Sequence, residues 1–209
     1  MPSSEFMRPL SPKQAQRQSP AQRRVCKGLS TMTRMRLPLF LTIVTMALSA
    51  CSPEQNWRQV SFEGTTLKVQ LPCKPDRTTR EVPLGGAPVQ LAVAGCESGG
   101  AMLAVMTAPL PAGADAQAVL AGWQQATLAN LQASSGVQTE AWQRPGMLPL
   151  GAAQRIQAQG RRADGQPVAA QAVWGAFTEG DHLRVVHAVV YARKILPELA
   201  QGLFEGMQP

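Results

Sequence analysis

Apolar and polar residues alternate along several short stretches in the first half of the chain. Residues 67–71 and 89–94 show the period of two that is typical of half-buried strands, and residues 77–84 are predicted to be extended. Residues 101–107 are apolar at every position but the last, which predicts a strand covered on both faces. Glycine pairs at 85–86 and 99–100 supply turns, so this half is predicted to be an antiparallel meander.

The period changes after Asp115, which suits the cap of a helix N-terminus. Leu120, Trp123, Thr127 and Leu131 then recur every three or four residues, as they do on one face of a helix. This segment predicts an amphipathic helix lying on the sheet.

Strand patterns return after this helix and are separated by two tight turns, one at Asp164-Gly165 and one around Gly180. Pro197 suits the first turn of a closing helix, whose apolar face would carry Leu199, Leu203 and Met207. The strands predicted here are 137–142, 152–160, 167–177 and 183–191.

The order of elements predicts an α+β fold, a largely antiparallel sheet with two main helices packed on it. A strand ending in Leu71-Pro72, the mid-chain helix, and a last strand and helix running from Leu183 through Leu203-Phe204 resemble the PsbP-like sandwich of DcrB-type bacterial lipoproteins. The resemblance covers residues 60–208. It implies a binding or assembly role and brings no catalytic residues with it.

A run of 14 mostly apolar residues, 37–50, is too short to cross a bilayer, which takes roughly 20. Arg34 and Arg36 precede the run and small residues end it, which is the arrangement of a secretory signal peptide. We therefore expect the chain to be exported.

The end of this signal, Leu48-Ser49-Ala50-Cys51, resembles the lipobox of bacterial lipoproteins. The resemblance implies cleavage after Ala50, acylation of Cys51 and attachment to a membrane without a spanning helix. Two or more acyl chains hold a protein stably, whereas one holds it only marginally. Ser52 follows the cysteine, which by resemblance to enterobacterial lipoproteins favours the outer membrane facing the periplasm; the inner membrane is left open.

Four segments follow from these signals. Residues 1–31 are predicted to be a disordered extension because they are rich in Pro, Ser, Gln and Arg; Met32 and Met35 are alternative starts for the signal. Residues 32–50 are the signal peptide, 51–59 the anchor and tether, and 60–209 a single periplasmic domain. Cys26 would lie outside the mature protein.

The basic charge of the chain belongs to its leader. The chain has 20 Lys and Arg against 13 Asp and Glu, and residues 1–51 hold eight of the former and one of the latter, which leaves 12 of each. A net charge of +7 would favour an anionic partner, but the mature part is neutral by count. We therefore expect no nucleic acid among its partners.

Cys73 and Cys96 are the two cysteines that remain in the exported domain. Paired cysteines in an oxidising compartment favour a structural disulfide. A metal pair and a redox pair are the competing interpretations, although neither a CxxC motif nor a nearby His supports them.

No catalytic motif or cofactor motif stands out. Neither GxSxG nor HExxH occurs, and His182 and His187, five apart, would point to opposite faces of a strand. Met102 and Met106 share one strand face and are candidates for copper(I) ligands, although core packing is the favoured interpretation. No enzyme activity, metal or cofactor is expected.

The four tryptophans are predicted to differ in burial. Trp123 and Trp142 fit as anchors between helix and sheet, whereas Trp57 and Trp174 are candidates for exposed aromatics in a binding patch.

Two classes of function remain after this search. The favoured one is a non-enzymatic envelope lipoprotein that binds an unidentified envelope protein or cell-wall partner. The alternative is a binder of a small lipophilic ligand in a pocket between helix and sheet, and a periplasmic enzyme is a third.

Overall fold

The computed structural model describes residues 55–133 and 136–209, and these described residues belong to one compact unit. Nine strands and two helices occur in this part of the chain. They are β1 (Arg58–Ser61), β2 (Lys68–Leu71), β3 (Asp76–Leu84), β4 (Ala87–Ser98), β5 (Ala101–Pro109), α1 (Ala116–Asn130), β6 (Gln138–Ala141), β7 (Gln154–Arg161), β8 (Pro167–Glu179), β9 (His182–Ala192) and α2 (Pro197–Glu205).

Seven of the strands form one antiparallel sheet in the order β3-β4-β5-β9-β8-β7-β6, and β1 pairs with β2 in a separate two-stranded sheet. Two meanders, β3-β4-β5 and β6-β7-β8-β9, therefore meet along the pairing of β5 with β9. The inner strand β8, next to the central strand β9, is buried from Val168 to Phe177, so both faces of the sheet are covered there.

The predicted α+β sandwich with two main helices is wrong. Over the described residues the fold is mostly β, with helices of only 15 and 9 residues beside strands of up to 13. The apolar alternation marked only the middles of the strands. β4, predicted as residues 89–94, runs to Ser98, because hydrogen bonding along the ladder continues through its small and polar residues.

Each face of the large sheet has its own cover. On β9, Val186, Ala188 and Val190 belong to a core that also contains β1, β2 and α2. His187, on the opposite face, contacts Trp123 of α1. Since neighbouring residues of a strand point to opposite faces, α1 lies on one face while α2 and the small sheet lie on the other.

Both helices begin and end near the predicted positions. The carboxylate of Asp115 accepts a hydrogen bond from the amide of Gln117 at 2.9 Å and caps α1, and Pro197 occupies the first turn of α2. Leu120, Trp123 and Thr127 are buried on the α1 face that packs against the sheet. These parts of the sequence analysis are confirmed.

The small sheet begins earlier than the predicted domain. β1 starts at Arg58, inside the segment assigned to the tether, and its four residues pair with β2. Trp57, directly before it, lies against Gly202 of α2. A four-residue strand with one buried side chain, Val60, gives too little periodicity to be recognised from sequence.

Gly160 on β7 allows the chain after α1 to approach the sheet. A Cβ atom built at Gly160 would collide with the carbonyl of Leu131, which itself accepts a hydrogen bond from the amide of Arg161 at 2.8 Å. No side chain fits at this position without moving backbone.

We expect Gly160→Ala to lower the free energy of unfolding by about 1–3 kcal/mol, because the collision forces the backbone apart. Gly122→Ala is the matched control. Gly122 lies within α1 with no atom within 4 Å of an added Cβ, so alanine there should stabilise the domain by up to about 1 kcal/mol. Urea unfolding followed by circular dichroism measures both, and equal stabilities for the two variants would contradict the expectation.

Candidate functional site

Of the predicted site residues, Cys51 lies outside the described residues, and Cys73 and Cys96 form a disulfide with their Cα atoms 6.0 Å apart. Cys73 follows β2 and Cys96 lies on β4, so the bond ties the small sheet to the large one. The disulfide leaves neither thiolate available for the metal pair considered as an alternative.

The two histidines lie apart and in different environments. His182 is exposed at the start of β9, whereas the side chain of His187 is completely buried in the middle of the strand. Among the described residues, no group of three or more His, Cys, Asp or Glu could hold a metal ion.

Met102 and Met106 lie on the same face of β5, as predicted, but four residues apart, which places their Cα atoms about 13 Å from each other. This separation is unfavourable for ligands of one copper ion. Met102 is 38% exposed, so the prediction that both pack in the core is wrong for Met102. It pairs with Tyr191 at the end of the sheet that α1 leaves open.

His187, a buried polar residue, lies in a cluster of aromatic rings. The imidazole stacks on Trp174 with ring centroids 4.3 Å apart, and Trp123 of α1 meets it edge-on at 5.1 Å. Trp174 is fully buried, so the suggestion that it lies exposed is wrong. The sequence pattern of β8 did not reveal this burial, because nearly every residue of the strand is buried and no alternation distinguishes its two faces.

Hydrogen bonding fixes the tautomer of His187. Nδ1 lies 3.0 Å from the carbonyl oxygen of Val173, which can only accept, so Nδ1 carries the proton. The other ring nitrogen, Nε2, is buried and has no hydrogen-bond partner in the described part of the chain. Burial lowers the pKa of His187 to about 4, against a smaller opposite effect of the Val173 carbonyl.

A second polar feature joins the two sheets at their other end. Glu179, at the end of β8, accepts hydrogen bonds from the amide and hydroxyl of Thr66 and forms an ion pair of 2.8 Å with Arg184 of β9. Arg184 also donates to the carbonyl of Gly64 at 2.8 Å. The loop between β1 and β2 is therefore held against the β8–β9 hairpin.

The carboxylate of Glu179 is committed to these contacts. Partial burial raises its pKa, but hydrogen bonds from the amide of Thr66, from the side chains of Thr65 and Thr66, and from Arg184 outweigh burial and lower the pKa to about 2. A group held ionised by four donors is a poor general acid or base near neutral pH.

An open cleft of about 410 Å³ lies beside this ion pair. Its walls include Thr65, Pro109, His182 and Leu183. A second cleft, of about 290 Å³, is formed by residues 81–83 and 86–88 around the turn between β3 and β4. Both lie at strand ends, and neither lies between a helix and the sheet.

A scan against known protein families finds no match to this chain, and a search of curated proteins finds none either. In the part of the chain that the structure describes, neither helix has the length and apolar character needed to cross a bilayer.

The buried histidine predicts a loss of stability in acid. The unfolded chain takes up a proton near pH 6.5 and the folded one only near pH 4, so stabilisation is complete above pH 6.5 and falls as the pH approaches 4. The loss attributable to His187 should reach about 3 kcal/mol. Comparing urea unfolding of His187→Asn, whose amide can replace Nδ1, with wild type between pH 7 and pH 4 isolates this slope.

The exposed histidine provides the control for that experiment. His182→Asn, which alters an exposed position at the start of the same strand, should change stability little. If His187→Asn kept the same slope as wild type, the burial of a neutral imidazole would not be the cause.

Removing the charge of Glu179 should loosen the contact between the two sheets. We expect Glu179→Gln to lower the free energy of unfolding at pH 7 by about 2 kcal/mol, a value that allows for solvent screening of a side chain that is 21% exposed. Because the pKa is lowered, the difference from wild type should be full above pH 4.5 and disappear as the pH falls to 2. Asp181→Asn, at an exposed position in the same turn, should change stability little.

Proposed function

We propose that this chain is a lipid-anchored bacterial envelope lipoprotein whose β-rich domain acts by binding a partner in the envelope. The observation that carries the proposal is the Cys73–Cys96 disulfide. Structural disulfides persist in oxidising compartments and are rare in the cytosol. The disulfide therefore supports export of the chain, which the signal-like run and Cys51 also predict from the sequence.

Acylation of Cys51 would keep the domain close to a membrane. Residues 52–57 separate Cys51 from β1 and can span at most about 25 Å. Arg58, the first residue of β1, pairs with Leu71, the last residue of β2. Cys73, which is bonded to Cys96, lies two residues after Leu71. The end of the domain that carries the disulfide is therefore the end nearest the anchor.

Partly exposed apolar side chains provide a surface for a partner at this same end. We call it the Met102 surface, and it consists of Val93, Met102, Ala104 and Met106, which lie on adjacent strands and share one face. Methionine side chains are flexible and polarisable and occur often on binding surfaces. Exposed apolar groups of this kind support a role in binding.

No observation favours the alternative of a lipophilic ligand held between helix and sheet. The two clefts described above lie at turns, and the sheet face beneath α1 is filled by Trp123, His187 and Trp174.

Measuring the intact mass of the protein tests whether the signal peptide is removed and Cys51 is acylated. Protein extracted from the membranes of the producing bacterium should have the mass of residues 51–209 plus acyl groups, and reduction should raise the mass by about 2 Da. Cys51→Ser should leave the chain unacylated and release it from the membrane fraction. An unacylated full-length wild-type chain would contradict the anchor.

Photo-crosslinking tests the binding role. A photoreactive residue at Met102 should capture a defined protein or cell-wall component in intact cells, whereas the same residue at exposed Gln138, on the far edge of the sheet, should not. Equal capture at both positions, or at neither, would contradict binding through the Met102 surface.

A further inference from the structure

β3 lies at one edge of the seven-stranded sheet, and no other strand of the described residues pairs with its outer side. It is nine residues long, whereas the strand at the other edge, β6, has four. A long free edge is a site where another strand can add to a sheet.

The turn after β3 shows which backbone groups face outward. Leu84 and Ala87 flank the two-residue turn Gly85-Gly86, in which both glycines have positive φ, so they form a hydrogen-bonded pair. Hydrogen-bonded and open pairs alternate along an antiparallel ladder. The N–H and C=O groups of Arg77, Thr79 and Glu81 therefore point away from β4.

Two prolines confirm this assignment and mark the limits of the free edge. Pro83 is opposite Pro88, a pair that could not exchange N–H bonds and therefore must be an open pair. Pro75, directly before β3, also lacks an N–H group. Pro75 and Pro83 each lie four residues from Thr79, so the outward donors are centred on Thr79.

The charged side chains of β3 are complementary to those of a second copy of β3 that runs in the opposite direction. If a second copy of β3 ran antiparallel to the first with Thr79 opposite Thr79, Arg77 of each copy would be opposite Glu81 of the other. Arg77, Thr79 and Glu81 are all exposed and share one face of the sheet. A shift of the centre by one residue in either direction would place a proline opposite one of the three donors.

We propose that β3 pairs with β3 of a second copy of this chain, about a twofold axis at Thr79, and joins the two seven-stranded sheets. The outward groups of Arg77, Thr79 and Glu81 then form six N–H···O=C bonds in three pairs, and two Arg–Glu pairs flank the axis. The contact is isologous, as in most homodimers.

The contact area sets the strength of this dimer. Five paired residues on each side bury far less than the roughly 1,200 Å² of a stable interface, so association in solution should be weak. Confinement of both copies to one membrane would raise their effective concentration and favour pairing.

Cysteine crosslinking detects such a contact without requiring a stable dimer. The protein used is the full chain with Cys26→Ser and Cys51→Ser, which keeps the Cys73–Cys96 disulfide and removes dependence on the proposed anchor. Directly opposite residues of a hydrogen-bonded pair have Cα atoms about 5.5 Å apart, within reach of a disulfide. Thr79→Cys should form covalent dimers at least about tenfold faster than Gln138→Cys, a control at an exposed position on the other edge.

Charge exchange separates specific pairing from random collision. Glu81→Arg added to Thr79→Cys places Arg opposite Arg twice and should slow crosslinking about tenfold. Adding Arg77→Glu as well restores opposite charges and should return the rate to that of Thr79→Cys alone. Because Arg77 also donates to the carbonyl of Ser61, the thermal midpoint of each variant is measured alongside.

Two results would overturn the proposal. The first is that Thr79→Cys crosslinks no faster than Gln138→Cys. The second is that the variant carrying both Arg77→Glu and Glu81→Arg crosslinks as slowly as the variant carrying Glu81→Arg alone, although it melts at the wild-type temperature. If the double variant melts at a lower temperature, a Thr79→Pro variant provides the deciding test. The N–H group of Thr79 points outward and makes no bond to β4, so proline removes the central donor of the proposed contact and leaves the bonds between β3 and β4 in place. Sedimentation at high protein concentration should then show self-association of wild type but not of Thr79→Pro, and the reverse or equal behaviour would refute the pairing.

Discussion

The burial of the two central strands on both faces is the constraint on which the rest of this structure depends. β8 and β9 carry long runs of buried residues, so neither face of the sheet can be left to solvent along them. One face is covered by α1 and the other by α2 together with the small sheet of β1 and β2. The disulfide and the Glu179–Arg184 ion pair both hold that small sheet in place, one at each end.

The same burial explains the unusual environment of His187. A histidine at the centre of β9 has no access to water and must stay neutral, which costs free energy that a Leu or Val would not. Its stacking on Trp174 and its bond to the Val173 carbonyl offset part of this cost. Because Nε2 has no hydrogen-bond partner among the described residues, the interior on the α1 side contains an unsatisfied polar atom.

The sequence was most informative where chemistry is local. The cap at Asp115, the proline of α2, the glycine turns and the pairing of Cys73 with Cys96 could all be predicted, because each depends on a few neighbouring residues or on a simple count. The balance of strand and helix could not. Strand length is decided by hydrogen bonding across the sheet, which allows residues such as Gly95 and Glu97 to continue a ladder that their own propensities do not favour.

The candidate sites were harder to predict for the same reason. Glu179 directly precedes the turn predicted around Gly180, and its contact with Thr66 joins positions 113 residues apart, which no local pattern reveals. Trp174, which the sequence offered only as a candidate for an exposed aromatic, is buried, and Met102, for which core packing was the favoured interpretation, is exposed. Both outcomes depend on how α1 packs on the sheet: Trp174 stacks on His187, which Trp123 of α1 contacts, whereas Met102 is left partly exposed.

The seam between β5 and β9 has a consequence for how the chain reaches this fold. Its pairs join residues that are far apart in sequence, from Pro109 with Arg184 to Met102 with Tyr191, whereas every other pairing in the large sheet joins consecutive strands. Closing so long a loop costs entropy that is recovered only when the seam forms. We therefore expect the two meanders to form first, and their joining along β5 and β9 to be the slow step of folding.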